Sequence, residues 1–334
     1  KPQVMGVAAP AYRRFADAGA AILSIAAGTR IATLQSLLGE EAAIVRCMPN
    51  TPAAIGAGMM VTFANDRVTP QAMDAVNTLL AQNGAVTSIP SEDLMDAVTA
   101  VSGSGPAYVF HFIEALTAAG LSLVFGIMRV VNVAHGEFFM LGAVIAWWVA
   151  SMAGGHPAIG FVLALVIAPL IVAAIASAAD FLVLKRVQYD PERTIVATIG
   201  LLYIIQQMVL MTYGPEARPV EAPFNHRIYF PWFGYSTYKL FVIGAAIVLL
   251  LGLWLVMTRT RLGIVLRATQ LDRETALAFA IPVDRVYALT FGLGAGLAAL
   301  GAVLIVPIQQ AHYLMGGDPL LLSFIVVIIG GLGS

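Results

Sequence analysis

Hydrophobic positions follow two different patterns along the 334 residues of the chain. Up to about residue 120, short apolar runs alternate with stretches in which apolar residues recur at helical spacing. The short runs predict strands at 21–26, 42–48, 58–64 and 84–90, and the other stretches predict helices at 29–39, 69–84 and 91–101. We expect Ser91 to be the N-cap of the last helix. Such alternation is typical of an α/β domain with a doubly wound parallel sheet.

Beyond residue 120 the apolar runs are long enough to cross a bilayer, which takes about 20 residues. Spans are predicted at 138–154, 159–184, 194–213, 240–257 and 286–308, and a shorter run at 320–333. Residues 121–133 make half a span or a re-entrant segment. The predicted fold class is therefore mainly α: a polytopic transmembrane helix bundle of about five to six spans, preceded by a partial α/β, Rossmann-like segment.

Composition supports membrane residence. Hydrophobic residues make up 59% of the chain and charged residues 11%, against about 25% charged residues in soluble domains. The net charge is −1, and no basic stripe indicates nucleic-acid binding. A single cysteine, Cys47, excludes an internal disulfide and is expected in a core.

Lysine and arginine predict the orientation of the spans. They concentrate in the loops around 185–193 and 258–285, whereas the opposite loops carry few. By the positive-inside rule the first set is cytoplasmic. The segment ahead of Phe138 lies on the same side, so we expect residues 1–120 to be cytoplasmic too.

Two motifs in the first region carry candidate chemistry. RCMPNTP (46–52) follows a strand, where open α/β sheets bind ligands, although a plain turn is the favoured interpretation. SGSGPAYVFHFIEAL (102–116) opens a helix whose free N–H groups form a site for a carboxylate. Glu114 on that helix needs a partner. The alternative is an ordinary helix cap with a surface glutamate.

These stretches resemble pyrroline-5-carboxylate reductase. The matching text is KPQ (1–3), SIAAGTRIATLQSLLG (24–39), VRCMPNTPAAIGAGM (45–59) and AVTAVSGSGPAYVFHFIEALTAAG (97–120). The resemblance implies hydride transfer from NAD(P)H to a cyclic imine, which gives proline. It implies cofactor contacts from Lys1, Pro2, Gln3, Met48, Pro49, Asn50, Thr51 and Pro52. It implies substrate contacts from Ser102, Gly103, Ser104, Gly105, Pro106 and Glu114.

Two departures from the reductase pattern predict that this half is inactive. No G-x-G-x-x-G follows a strand in residues 1–120, so the pyrophosphate has no cradle. The helical dimerisation domain of the family is replaced after Gly120 by apolar sequence. We therefore expect a partial Rossmann-like segment at 1–100 and the start of a helical domain at 101–120.

Polar residues near the predicted spans are candidates for a transport pathway. VVNVAHGEFFM (130–140) places Asn132, His135 and Glu137 between apolar runs, and Gly136 would let the backbone break there. His135 and Glu137 either form a bonded structural pair or line a pathway. We expect no metal, since a metal site needs more converging ligands.

The loop 259–291 contains a helix-forming stretch, LDRETALAFAI. Asp272 and Glu274 begin it and Pro282 ends it. A helix on the surface of this loop would dock onto a partner protein, and a solvated loop is the alternative.

The second region resembles the permease subunit of branched-chain amino-acid ABC transporters. The matching text is LVFGIMRVVNVAHGEFFMLGA (123–143), RTRLGIVLRATQLDRETALAFAIPVDRVYALTFGLGAGLAALGAVL (259–304) and IVVIIGGLGS (325–334). The resemblance implies import of leucine, isoleucine or valine across a bacterial inner membrane without a cofactor. It implies a second permease subunit, a periplasmic amino-acid-binding protein and cytoplasmic ATPase subunits. The ATPase-coupling loop would carry Arg267, Asp272, Glu274 and Arg285. The chain itself has no Walker A motif.

The two resemblances meet at Gly120 without a linker. The permease family has further helices on both sides of 121–334, so this domain is expected to be incomplete at both ends. Natural fusions join whole domains through exposed linkers, which favours two unrelated pieces joined at this point. Three functions follow: a permease with a truncated reductase head, a reductase with a spurious tail, or a non-functional chimera.

Overall fold

The chain folds into two compact units. The computed structural model describes residues 4–50, 53, 56, 58–100, 105–224, 226–230 and 233–330. The first unit comprises Lys1–Tyr108 and His226–Ser236, and the second comprises Val109–Asn225 and Thr237–Ser334. The predicted fold class is confirmed: a small α/β segment precedes a mainly helical bundle.

The first unit is built on a four-stranded sheet in the order β1-β2-β3-β4. The strands are β1 (Ile22–Ser24), β2 (Ile44–Pro49), β3 (Gly58–Ala64) and β4 (Gly84–Ser88). β1 and β2 are parallel, as are β3 and β4, but β2 and β3 are antiparallel. The prediction of an all-parallel sheet is therefore wrong at its centre. The β2–β3 connection has too few residues for a parallel crossover, which needs a dozen or more.

Short helices cover this sheet. They are α1 (Met5–Ala8), a 3₁₀ turn (Ala9–Tyr12), α2 (Arg13–Asp17), α3 (Ile31–Leu38), α4 (Pro70–Ala81) and α5 (Leu94–Val98). Thr69 caps α4, its hydroxyl accepting from Ala72 N at 3.2 Å. The predicted cap Ser91 is wrong: it accepts from Asp93 N at 3.4 Å, and Asp93 is the N-cap of α5.

A short hairpin completes the first unit. β5 (Arg227–Phe230) pairs antiparallel with β6 (Phe233–Ser236). These residues lie between two membrane helices in the sequence, yet they group with the α/β unit. The hydrophobic pattern gave no strand here, because each strand has only four residues.

The second unit is a helix bundle. Its helices are α6 (Gly105–Met128), α7 (His135–Met152), α8 (Pro157–Ala179), α9 (Pro191–Thr212), α10 (Thr237–Arg259), α11 (Arg261–Leu271), α12 (Arg273–Ala278), α13 (Val283–Ile305) and α14 (Gly317–Gly330). A π-helical turn, Asp180–Leu184, extends α8. α13 lies at the centre and packs on α7 and α8.

Five helices of the described residues are long and apolar enough to cross a membrane. They are His111–Met128, Pro157–Leu184, Pro191–Thr212, Thr237–Arg259 and Val283–Ile305. The half span predicted for residues 121–133 is wrong, because these residues continue α6 as far as Met128. The predicted span at 138–154 forms α7, whose polar first turn lowers its hydropathy, and α7 is not among the five.

Small residues let the helices of the bundle approach closely. A Cβ at Gly120 of α6 would lie 2.4 Å from the carbonyl oxygen of Gly294 on α13. A Cβ at Gly142 of α7 would lie 2.5 Å from the Cα of Ala299. Gly120, where the two resemblances meet, is therefore a packing position of the bundle.

Candidate functional site

The reductase-like loop begins at the end of β2. Met48 and Pro49 end that strand, and Asn50 closes a turn, its side-chain oxygen accepting from Met59 N at 2.9 Å. Since this oxygen is already bonded within the turn, the arrangement favours the plain turn for this position. The other predicted cofactor residues, Lys1, Pro2, Gln3, Thr51 and Pro52, lie outside the described residues.

The second reductase-like motif leads into α6. Gly105 and Pro106 lie in its first turn, as predicted for Pro106, and Ser102, Gly103 and Ser104 lie outside the described residues. The partner expected for Glu114 is His111, whose Nδ1 lies 2.9 Å from Glu114 Oε2. This i,i+3 contact within one helix fits the alternative of a surface pair.

Sequence reasoning missed the buried arginine of the first unit. Arg46 on β2 is 3% exposed, and its guanidinium donates to the Glu92 carboxylate. The same carboxylate oxygen accepts from Ile31 N at the start of α3, at 2.7 Å. Glu92 therefore neutralises Arg46 and caps α3. Nearby, Cys47 is buried as expected, and burial raises the pKa of its thiol to about 11.

A cavity of about 610 Å³ lies beside the end of β1. Of the described residues that line it, only Tyr12 and Ser24 have polar side chains, and the rest are apolar residues of α1, the 3₁₀ turn, β1, α3 and the loop after β1. The volume suits a small ligand. However, this lining offers neither a cation nor a glycine-rich turn, so it does not fit the pyrophosphate of a dinucleotide.

The polar residues predicted for the transport pathway lie at the start of α7. Asn132 and His135 are 0% exposed, and Glu137 is 4% exposed. Asn132 Oδ1 accepts from Ala134 N at 3.1 Å, and His135 Nε2 bonds to the Thr117 carbonyl of α6 at 2.9 Å. Because a carbonyl only accepts, Nε2 donates. The imidazole is therefore held by α6 rather than by Glu137.

Three polar atoms of this cluster have no hydrogen-bonding partner among the described residues. They are Asn132 Nδ2, His135 Nδ1 and Glu137 Oε2. Buried polar atoms are normally paired, and an orphan needs a water or a passing polar ligand. We name Asn132, His135 and Glu137 the α7 polar cluster. Sequence reasoning missed the two residues that hold this segment: the backbone carbonyl of Thr117 accepts from His135 Nε2, and the Thr198 hydroxyl accepts from Val133 N at 3.2 Å.

Gly136 has a different role from the predicted one. It lies within α7, and the break in the backbone precedes it, at residues 129–134. A Cβ at Gly136 would lie 2.2 Å from the carbonyl oxygen of Gly316. The glycine therefore permits a close approach of the α14 entry to α7 and does not break the helix.

The predicted coupling loop is helical over most of its length, and α11 was not predicted. Asp272 ends α11 and caps α12, its Oδ1 accepting from Glu274 N at 2.9 Å and Thr275 N at 3.1 Å. Together with the Thr275 hydroxyl, these bonds hold the pKa of the Asp272 carboxyl below its usual range. Arg267, Asp272, Glu274 and Arg285 are all exposed.

α12 exposes apolar side chains on its outer face, and other side chains attach it to the bundle. Leu277 is 51% and Phe279 78% exposed, whereas Ala276 is buried. The Arg273 guanidinium lies 6.0 Å from the centroid of the Tyr287 ring on α13, and Tyr287 packs edge-on against Tyr189. α12 is thus a fixed, exposed element with apolar and charged groups.

Asp180 is buried at the end of α8. It is 1% exposed and accepts from the Tyr189 hydroxyl at 3.3 Å. Lys185 pairs with Asp284 at 2.9 Å and not with Asp180. The π-helical turn aims Asp180 into the bundle.

Comparison with known proteins finds reductase relatives. Pyrroline-5-carboxylate reductase from Pseudomonas aeruginosa is 42% identical over 123 residues, which is 37% of this chain and 45% of that protein. The Synechocystis enzyme is 46% identical over 100 residues, which is 30% of this chain and 37% of that protein. This chain therefore spans less than half the length of these curated relatives.

Among solved structures, a Plasmodium falciparum pyrroline carboxylate reductase with NADP bound is similar in sequence. The identity is 36%, the match covers 36% of this chain and 47% of that chain, and the TM-score is 0.32. A reductase from Coxiella burnetii has 32% identity, 36% and 44% coverage, and a TM-score of 0.32.

A family model matches a larger part of the chain. The model described as "Branched-chain amino acid transport system / permease component" covers residues 107–334. It begins ahead of Gly120, so it includes most of α6. That agrees with the packing of Gly120 and Thr117 in the bundle. Since the match covers more than half of the sequence, the chain belongs to the family of branched-chain amino acid transport system permease components.

Proposed function

We propose that the chain is the membrane permease subunit of an ABC importer for branched-chain amino acids. The observation that carries the proposal is α12, an exposed, side-chain-capped helix with Leu277 and Phe279 turned outward. Exposed apolar residues beside charges are typical of a protein–protein contact. In this proposal α12, with Arg267, Asp272, Glu274 and Arg285, docks onto the ATPase subunits.

The membrane location and the partner proteins that we propose follow from the family. The chain lies in a bacterial inner membrane with the loops at 185–190 and 260–282 in the cytoplasm. A second permease subunit completes the pore, a periplasmic binding protein delivers the amino acid, and the ATPase subunits supply energy. The permease requires no cofactor.

The α7 polar cluster lines the proposed pathway. Its three orphan atoms are buried within one short segment at the start of α7, where unpaired polar groups are costly and favour a functional role. A translocating amino acid and its waters would supply the missing partners. Glu137→Gln should therefore reduce uptake. Thr290→Val is the matched control, because Thr290 is also buried but its hydroxyl already bonds to the Val286 carbonyl at 2.7 Å.

The experiment is uptake of labelled leucine in cells that express the chain with its ATPase and binding-protein partners and lack their own importer. Phe279→Asp should abolish co-purification of the ATPase and uptake together. Phe15→Asp, the same change at an exposed phenylalanine of the first unit, should leave both intact. Normal uptake by Phe279→Asp would refute the docking role.

The side of the membrane that residues 1–104 occupy depends on α6. α7 and α8 cross and return, so Arg129 at the end of α6 faces the cytoplasm. α6 has 24 residues, enough to cross, and a crossing α6 would place residues ahead of Gly105 outside. The packing of Gly120 on Gly294 of α13 supports a crossing α6, whereas the orientation predicted from the sequence keeps residues 1–120 cytoplasmic. Labelling of intact cells with a membrane-impermeant maleimide distinguishes the two orientations. Asp93→Cys is the probe, and Arg261→Cys is the cytoplasmic control.

A second candidate function is NAD(P)H-dependent reduction of pyrroline-5-carboxylate. The identity of 42% to a curated reductase favours it, whereas the apolar cavity beside β1 does not fit a pyrophosphate. We expect the purified chain to form no proline. Quenching of tryptophan fluorescence by NADPH, followed by proline formation, would establish the reductase and overturn this expectation.

A further inference from the structure

We infer that Arg218 is a carboxylate-binding residue at the end of the bundle opposite α12, and that its ligand is the α-carboxylate of the amino acid. The side chain belongs to the connection between α9 and α10. The inference deepens the proposed transport function, on which it rests.

Two aromatic rings lie against one side of the Arg218 guanidinium. Its central carbon lies 4.4 Å from the Trp147 ring centroid and 4.6 Å from that of Tyr213. The two rings meet edge-on at 5.2 Å. Cation–π contact with these rings stabilises the charge and restricts the freedom of the side chain.

The backbone of Arg218 is fixed as well. Its N–H donates to the Ala311 carbonyl at 2.9 Å, and Ala311 N donates back to the Arg218 carbonyl at 3.0 Å. The Tyr213 hydroxyl also donates to the Ala311 carbonyl, at 2.8 Å. Three parts of the bundle therefore hold this arginine: α7, the end of α9 and the segment after α13.

The charge of Arg218 has no carboxylate partner among the described residues. Its single hydrogen bond there runs from one terminal nitrogen to the Tyr213 carbonyl, at 2.7 Å. Glu216 and Glu221 are close in sequence, but neither is within ion-pair distance. A half-buried, rigid and unpaired guanidinium is prepared for a planar anion, which it binds through two parallel hydrogen bonds.

The position of Arg218 in the bundle indicates which anion it binds. α13 carries α12 at its N-terminal end and leads to Ala311 after its C-terminal end, so about 35 Å of helix separates the two sites. Arg218 therefore lies at the entry side of an importer, opposite the ATPase. An amino acid that enters there carries one carboxylate, which matches one guanidinium.

The binding test uses the purified full chain in lipid nanodiscs and needs no ATPase. L-leucine should raise the thermal midpoint of the wild type, and L-leucinamide, which lacks the carboxylate, should not. Arg218→Gln should weaken the leucine effect about tenfold or more, and Arg218→Lys should give an intermediate loss, since it keeps the charge without the fork. Arg227→Gln, at an exposed arginine of the same connection, should behave as the wild type.

Equal stabilisation by leucine and leucinamide, or an unchanged Arg218→Gln variant, would overturn the inference. A defect of Arg218→Gln that appears only when the binding protein is present would overturn it too, because the carboxylate would then come from that protein. The transport function fails separately: the wild type would show Arg218-dependent leucine binding but no uptake. Normal uptake by Arg218→Gln would sink the inference and leave the transport function standing.

Discussion

Two arginines, one in each unit, carry a charge that is partly or fully buried, and they differ in whether a carboxylate accompanies it. Arg46 of the sheet is paired with Glu92, and that carboxylate also caps α3. Arg218 of the bundle is equally well held, but by aromatic rings and a carbonyl and not by a carboxylate. A charge that stabilises a fold is accompanied by its counter-charge. A charge that is positioned without one is available to a ligand.

Other buried polar side chains of the two units can be compared in the same way. Thr62 in the sheet is fully buried and bonds to the Ser88 hydroxyl at 3.0 Å. In the bundle, Asn132, His135 and Glu137 each keep an atom without a partner among the described residues. Asp180, Thr194 and Ser323 of the bundle also keep an unpaired side-chain oxygen among the described residues, but only Asn132, His135 and Glu137 lie together in one segment, and we assign that segment to the pathway.

The largest effect is expected from Glu92→Gln. The variant leaves the Arg46 charge buried without its counter-charge, which costs about 3–5 kcal/mol. Hydrogen exchange of the β2 amides in the full chain should rise accordingly, while that of α13 stays unchanged. Glu41→Gln breaks the exposed pair with Arg67 and should cost at most about 1 kcal/mol. Similar exchange in the two variants would show that the buried pair is not needed.

Gly120→Ala tests whether the start of α6 belongs to the bundle. The new Cβ would meet the Gly294 carbonyl oxygen, and overpacking costs about 1–3 kcal/mol. The thermal midpoint in detergent should fall.

Gly126→Ala on the same helix is the control. Its Cβ meets only the end of the Gln270 side chain, at 3.6 Å, and alanine favours a helix by about 1 kcal/mol. Opposite signs for the two variants confirm close packing at Gly120. A harmless Gly120→Ala would mean that α6 does not pack on α13 there.

A smaller effect is expected at the cap of α12. Asp272→Ala removes the acceptor for two backbone N–H groups and should speed hydrogen exchange in α12 and weaken co-purification of the ATPase. Asp272→Asn keeps the acceptor, because asparagine is an equally good N-cap, and should lose only the smaller part of the stabilisation that depends on the charge. A defect of equal size in both variants would indicate that the charge, not the cap, is required.

The smallest effect concerns pH. The folded-state pKa of Asp272 is lowered, so its contribution to α12 is fully present above the unfolded pKa of about 3.9. It is lost as the pH falls through the lower, folded value. Exchange in α12 of the wild type should rise below about pH 4, and Asp272→Ala should show no such step. A step of equal size in the variant would assign it to another carboxyl.

The pattern of apolar residues predicted most helices and strands correctly where the periodicity and the capping residues indicate the same element. β3 was placed at its observed residues, and α4 ends within three residues of its predicted end. The prediction failed where two patterns meet. Residues 121–133 look like half a span on their own, because the other half of α6 reads as part of an enzyme helix. Their continuity is visible only when Gly120 is packed against Gly294.

The sequence likewise identified some residues of the candidate sites and missed others. Asn132, His135 and Glu137 were found because polar residues are conspicuous in apolar sequence, and Asp272 because it precedes a helix-forming stretch. Arg218 was missed, since a single arginine in a loop has no period and no motif. Its partners Trp147, Tyr213 and Ala311 come from distant positions in the chain.

The sequence by itself determined the membrane character of the second unit, the strands β1 to β4 of the first, and the residues that resemble two families. These depend on local period, composition and motif, which a linear chain displays directly. Only the tertiary structure decided the antiparallel step in the sheet, the continuity of α6, and which buried charges are paired. Pairing is decided by the distance between residues far apart in sequence, and that distance exists only after the chain has folded.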